Sequence, residues 1–275
     1  MRRTLKPTYV VFALLGSLLL LDLVLPIATL FVQADWAAWV SAMRRPAARD
    51  AIEVSIVSST LAVLIMMALG VPLGYFLARV PLRFKRFWVS LVFLPMVVPD
   101  LAGGILLLET FGPYGWIGRA LDARNIELTN NIAGIVLAQL FVAAPFVIVS
   151  SIAGFAGVDR DLEQAAATLG DSRWQIFWNI SLPLAKPSIA AGVTLAWIRA
   201  LGEFGATIIM AYNPHSLPVY MWVKFEADGL PSALPVAFCL VLLAVAAVAI
   251  SMLLSRLSGR TDLITPIGEL GGTLE

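Results

Sequence analysis

The sequence predicts an all-α polytopic membrane protein with about six transmembrane helices. Three observations carry this. Of 275 residues, 60% are hydrophobic and only 13% charged, and the mean hydropathy is +0.88. Water-soluble domains carry about 45–50% apolar and about 25% charged residues, so too little polar surface remains here to coat a globule in water. The apolar residues also gather into stretches of about the 20 residues that a helix needs to cross hydrocarbon. Finally, the ten-residue alternating segments of a membrane barrel are absent. Each stretch therefore satisfies its own backbone hydrogen bonds, as a helix.

The first expected span, Tyr9–Val32, follows Arg2, Arg3 and Lys6. Val32-Gln33-Ala34 loosely matches a signal-peptidase site. The apolar stretch is longer than the about 7–15 residues of a signal core, so an uncleaved span is expected. The remaining spans are Ala51–Ala78, Phe87–Leu108, Asn131–Phe155, Ser188–Ala211 and Pro235–Ser255. The third contains Pro95 and Pro99, then Asp100, Gly103 and Gly104. Proline removes a backbone bond and glycine weakens a helix, so this span is expected to be kinked or interrupted. Two readings stand: a broken helix beside a cavity, or a plain kink relieved by its neighbours. The outer loop Phe111–Asn130 carries the turn Gly112-Pro113-Tyr114-Gly115. The last outer loop holds Val219–Asp228, where Tyr220, Trp222 and Phe225 suit a short interfacial helix. Cys239, the only cysteine, lies in the sixth span, which excludes an intrachain disulfide framework and reads as packing.

Charge orients the spans. With the amino terminus in the cytoplasm, the inner segments hold twelve Lys/Arg and the outer ones six, with Arg199 inside a span. The bias places both termini in the cytoplasm. Arg44, Arg45 and Arg49 run against it. A net charge of +1 gives no bulk field toward nucleic acid. Residues 1–260 read as one transmembrane domain and 261–275 as a cytoplasmic tail, with no internal repeat.

The longest polar connection on the inner side, residues 157–187, is built as structure. Asp159 or Asp161 is placed to cap a short helix. Ala165, Ala166 and Ala167 propagate it, and Gly170 terminates it. Asp171 or Ser172 starts a second helix, with Trp174, Phe177 and Trp178 on a wide apolar face and Pro183 and Pro187 marking its end. A small-residue helix braced by an aromatic one fits a partner's groove, or rests on lipid headgroups.

This stretch resembles the EAA loop of ABC importer permeases: Glu-Ala-Ala, three residues, Gly, nine residues, Ile, one residue, Leu-Pro. Ala165, Ala166, Gly170, Ile180, Leu182 and Pro183 stand at those spacings. Gln164 occupies the first position, and Glu163 precedes it. Arg199-Ala200-Leu201-Gly202-Glu203-Phe204-Gly205-Ala206-Thr207 is similar to the molybdate/tungstate and sulfate branch, as is Leu94-Pro95-Met96-Val97-Val98-Pro99. The loop Asn213–Pro218 departs from the common molybdate form. The resemblance implies a permease subunit that forms the route for a tetrahedral oxyanion, molybdate or tungstate, with sulfate or thiosulfate as the rival cargo. It implies a homodimer, two cytoplasmic ATPase subunits docked on these loops, and an external substrate-binding protein. No Walker sequence (Gly-x-x-x-x-Gly-Lys-Ser/Thr) occurs in the chain. ATP and magnesium would therefore sit on the partner ATPase, with no cofactor or metal on this chain.

Ionisable residues inside spans cost about 2.5–3.5 kcal/mol each on insertion scales, so each needs a reason. Arg199 and Glu203, spaced i, i+4, are expected to pair. With Phe204 and Thr207 they form the candidate pathway set; the alternative is a self-neutralising pair that packs the helix. Asp100 would repel an anion and is not expected to be a ligand. Asp22 lacks a partner in sequence, Glu109 lies near an outer end, and His215 reads as a surface residue. A secondary carrier would be expected to show paired interrupted helices, and a membrane-embedded enzyme clustered catalytic side chains. Neither is visible in the sequence.

Overall fold

The computed structural model describes residues 7–32 and 35–257. The expected tail 261–275 lies outside the described residues, as do Arg2, Arg3, Lys6 and Arg260 of the charge bias. The described residues form α-helices and one π-helical turn. In chain order the helices are α1 (Pro7–Val32), α2 (Trp36–Met43), α3 (Pro46–Arg79), α4 (Lys85–Val97), α5 (Asp100–Phe111), α6 (Trp116–Asp122) and α7 (Ile132–Ala156). They continue as α8 (Arg160–Thr168), α9 (Arg173–Ile176), the π turn Phe177–Ser181, α10 (Leu182–Leu201), α11 (Gly205–Met210), α12 (Leu217–Asp228) and α13 (Leu230–Leu257).

Four stretches are single helices long and apolar enough to cross a bilayer: Val11–Val32, Pro46–Arg79, Ile132–Ala156 and Leu230–Ile250. The third expected span is broken. Its two halves, α4 and α5, meet at a bend of 110° at Val98–Pro99. The cause is local: Pro99 takes no part in a ladder as donor, and the residue before a proline is driven to extended backbone, here Val98 at ψ 126°. The fifth expected span is interrupted as well, because α10 ends at Leu201 and α11 begins at Gly205. The sequence had offered no proline to mark that second break.

The core is the packing of α3, α7 and α10. Ala62, Met66 and Val71 of α3 meet Val136, Ala143 and Val147 of α7 and Ala185, Ile189 and Ala196 of α10. Small residues bring the backbones together, the usual means of helix association where lipid competes for apolar contacts. A Cβ on Gly192 of α10 would collide with the Ser150 side chain of α7, and one on Gly74 of α3 with Ser151. Buried serines along α3 add polar ties. Ser55 Oγ accepts from Leu217 N at 2.7 Å, and Ser59 Oγ accepts from Trp197 Nε1 at 3.2 Å. Cys239 packs against Ala48, Ala51 and Tyr220, as a small buried side chain.

Three local readings change. The helix after Ser172 does not stop at Pro183 or Pro187; it runs through the π turn, where Leu182 N donates to Phe177 O, into α10, which contains both prolines. The outer helix α12 is only partly interfacial, since Tyr220 is buried while Trp222 and Phe225 stay part-exposed. Two further short helices, α2 and α6, lie in outer connections read as loops. The first span stands apart from the core. α1 is exposed along its apolar length, and its described packing includes the ring of Phe31 against Phe238 of α13, 4.9 Å apart. Asp22 is exposed on it.

Candidate functional site

Two places bring the expected residues together. The first is the loop between α7 and α10. Asp159 caps α8, accepting from Asp161 N at 2.9 Å. Gly170 ends it at φ +99°, a backbone state that L side chains rarely adopt. Ser172 and Gln175 then form a capping box at the start of α9. Ala166 is the buried face of α8. Leu162 and Leu169 are 50% and 87% exposed, and Gln164 and Ala165 are also exposed. Trp174, Phe177 and Trp178 pack on one another at centroid distances of 5.3–6.1 Å, leaving Trp174 exposed. Ile180 and Leu182 are half-buried, and Pro183 is exposed.

What fixes α8 to the rest of the protein is Glu163. One carboxylate oxygen, Oε1, accepts from Arg79 Nε at 3.2 Å, Arg79 Nη2 at 2.8 Å and Ser181 Oγ at 2.6 Å. Arg79 Nη2 also donates to Val158 O at 3.0 Å. Arg79 ends α3 and Ser181 ends the π turn. Glu163 therefore joins the loop to two membrane helices at once, while Gln164 stays outside this network. The participation of Arg79 and Ser181 escaped the sequence reading. Arg79 is 84 residues from Glu163, and no helical spacing rule reaches that far.

The second place is where the two broken spans meet. α5 packs along α11, close enough that a Cβ on Gly205 would lie 2.7 Å from Asp100 Cβ, and one on Gly104 2.9 Å from Ala206 Cα. The expected i, i+4 pair forms, with Arg199 Nη1 2.6 Å from Glu203 Oε2. The guanidinium does more. Its other nitrogen, Nη2, lies 2.7 Å from Asp100 Oδ2. Arg199 thus links α10 to the first residue of α5. Glu203 is buried, and its Oε1 accepts from Ala206 N at 2.7 Å, filling a donor at the start of α11. On the facing helix, Gln139 Nε2 donates to Ala200 O at 3.0 Å and Ser58 Oγ at 3.1 Å. Side chains thus reach two backbone groups flanking the interruption, Ala206 N and Ala200 O, the latter also accepting from Glu203 N at 3.2 Å.

Phe204 stacks obliquely on Trp222, with centroids 5.6 Å apart. Thr207 is fully buried one turn on, away from any open surface. Among the described residues no group of three His, Cys, Asp or Glu is placed to hold a metal ion. His215 is held locally, with Nδ1 2.6 Å from Tyr212 O. A 470 Å³ cavity lies between α1, α2 and α13, lined by Pro26, Trp39 and Phe238 among others, and none of the four pathway residues lines it.

The model of the family described as binding-protein-dependent transport system inner membrane component matches residues 70–261. A probable molybdenum ABC transporter permease protein of Haloferax volcanii is 43% identical over 235 residues, covering 86% of each chain. A molybdate/tungstate transport system permease protein of Thermococcus kodakarensis is 38% identical, covering 93% of this chain and 98% of its own. The molybdenum transport system permease protein of Escherichia coli is 36% identical over 75% of this chain and 91% of its own. Among solved structures, a bacterial ABC transporter involved in the import of the acidic polysaccharide alginate superposes with a TM-score of 0.70. The two are 18% identical, over 92% of this chain and 96% of that one.

Proposed function

Because the chain belongs to the family of binding-protein-dependent transport system inner membrane components, we propose that it is the membrane permease of an ATP-driven importer whose cargo is molybdate or tungstate. The observation that carries the cargo is the agreement of relatives at 36–43% identity, each covered over most of its length and each named for molybdenum, molybdate or molybdate/tungstate transport. The chain is a transport component and not itself a hydrolase.

In this reading two copies of the chain enclose the route. The exposed residues Leu162, Gln164, Ala165 and Leu169, before the turn at Gly170, meet a groove on a cytoplasmic ATPase. Glu163 keeps α8 docked on Arg79 and Ser181, so that a push on the loop is delivered to α3 and α10. Ala166 supports α8 from beneath, and Ile180, Leu182 and Pro183 join it to the span. An external binding protein delivers the oxyanion; a solved alginate transporter of this fold is described in complex with a substrate-bound periplasmic protein. Arg199, Glu203 and Phe204 stand beside the route, and Thr207 packs behind them.

The test is reconstitution of the chain with its ATPase and binding protein in vesicles, with molybdate, tungstate and sulfate offered in turn. Uptake of molybdate or tungstate that requires internal or external ATP on the ATPase side is the expected result. Uptake that proceeds without ATP, or a preference for sulfate, would overturn the reading.

A further inference from the structure

We propose that Asp100 is an internal stand-in for the transported dianion: its carboxylate occupies the outer edge of the Arg199 guanidinium, and the oxyanion takes that place in passing. The inference rests on the oxyanion reading above.

The geometry is asymmetric in a way that a purely structural triad would not need. Glu203 is 0% exposed in its side chain, and both of its oxygens are used, one by Arg199 and one by Ala206 N. Asp100 is 44% exposed in its side chain, and its carboxylate is held by Arg199 and by no other hydrogen bond among the described residues. Of the two carboxylates on Arg199, one is locked and one is replaceable. Asp100 is also the first residue of α5, directly after the break at Val98–Pro99.

The chemistry of exchange is well matched. A guanidinium presents parallel N–H donors that fit the paired oxygens of a carboxylate or of a tetrahedral oxyanion alike. With Asp100 in place, one positive charge faces two negative ones, and the cluster does not attract a free anion. This resolves the difficulty of an acid beside an anion route. Asp100 does not bind the cargo; it competes with it, and a competitor keeps a cationic site from holding its cargo too tightly to let it leave, a requirement of any conducting site. An occupied site lowers apparent affinity by the fraction of time that it is free.

The experiment compares the wild type with Asp100→Asn and Asp100→Ser in the assembled permease–ATPase complex. Two neutral replacements of different size are used so that a loss of packing in one does not decide the outcome. Equilibrium binding of tungstate to the complex, without binding protein, is expected to strengthen at least about tenfold in both variants, the relief due if Asp100 fills the site about nine-tenths of the time. ATP-driven uptake in vesicles should show a lower KM together with a lower kcat, as release becomes limiting; a structural role would lower kcat with no gain in tungstate affinity. Binding unchanged within about twofold in both variants, with wild-type uptake intact, overturns the stand-in and leaves the transport reading standing. Failure of wild-type vesicles to import molybdate or tungstate overturns both.

Discussion

Truncating Glu163 tests the claim that one carboxylate docks the loop helix on the membrane core. Glu163→Ala removes an oxygen that accepts three hydrogen bonds, two from Arg79 and one from Ser181. The side chains of the ion pair are 10% and 16% exposed, so the solvent screening that reduces surface pairs to about 0–1 kcal/mol is largely missing. Hydrogen bonds to a charged group contribute about 1.5–3 kcal/mol each. Three that share one oxygen are not additive, which brings the expected loss to about 3 kcal/mol, at the lower edge of the range for breaking a buried pair. Arg79→Ala should cost about as much. The double variant should cost little more than either, leaving a coupling energy of about 2 kcal/mol. Amide hydrogen exchange of α8 in lipid nanodiscs reads this directly, because about 1.4 kcal/mol is a tenfold change in the opening constant. Each single variant should lose about a hundredfold in protection. Additive losses in the cycle, or α8 protection that survives Glu163→Ala, would refute the docking role.

Gly170→Val places a β-branched residue at φ +99° and should cost about 1–3 kcal/mol of local strain, seen as reduced co-purification of the ATPase, with permease assembly retained. Gln139→Leu strips the Ala200 carbonyl and Ser58 hydroxyl of their shared donor inside the core; a loss of about 1–3 kcal/mol should lower the thermal midpoint of the purified permease. Gly192→Leu forces a side chain against Ser150 of α7, and overpacking of about 1–3 kcal/mol or more should reduce folded yield, with partial recovery in the Gly192→Ala variant.

Local chemistry was legible in the sequence, and distant pairing was not. Pro99 marked the break of the third span because proline acts on its own backbone and on the residue before it, while α4 runs through Pro95. Arg199 and Glu203 were paired by spacing alone. The capping residues Asp159 and Ser172 and the terminator Gly170 fell where the pattern placed them. The break after Leu201 carried no such mark. It is held open by Glu203 turning onto Ala206 N, by Gln139 reaching Ala200 O from another helix, and by Asp100 drawing on Arg199 across 99 positions. Asp100 was read as a repeller because its partner could not be seen. The same limit hid Arg79, whose meaning depends on α3 ending beside α8. Pro183 and Pro187 misled in the other direction: a proline reads, in sequence, as a helix end, whereas the π turn carries this helix past both.

The two sites are connected by how α3 and α10 are tied. At the α8 end both are held through Glu163, α3 by Arg79 and the π turn leading into α10 by Ser181. Toward the other end both are held through Gln139 of α7, α3 by Ser58 and α10 by Ala200. Ser181 and Arg199 are separated by about 27 Å at 1.5 Å of rise per residue. Between them, close packing at Gly192 leaves α10 little room to slide on α7. Two cross-ties on the same pair of helices, with tight packing between them, make α3, α7 and α10 a single body, since sliding one against another would break buried polar contacts at both ends. Outside this body the chain bends by 110° between α4 and α5. Arg199–Asp100 is the ion pair that joins this body to α5, with side chains 29% and 44% exposed. Under the proposed coupling, a displacement applied at α8 reaches α3 and α10 through Glu163 and passes through this body to the pair at which the oxyanion is proposed to exchange with Asp100.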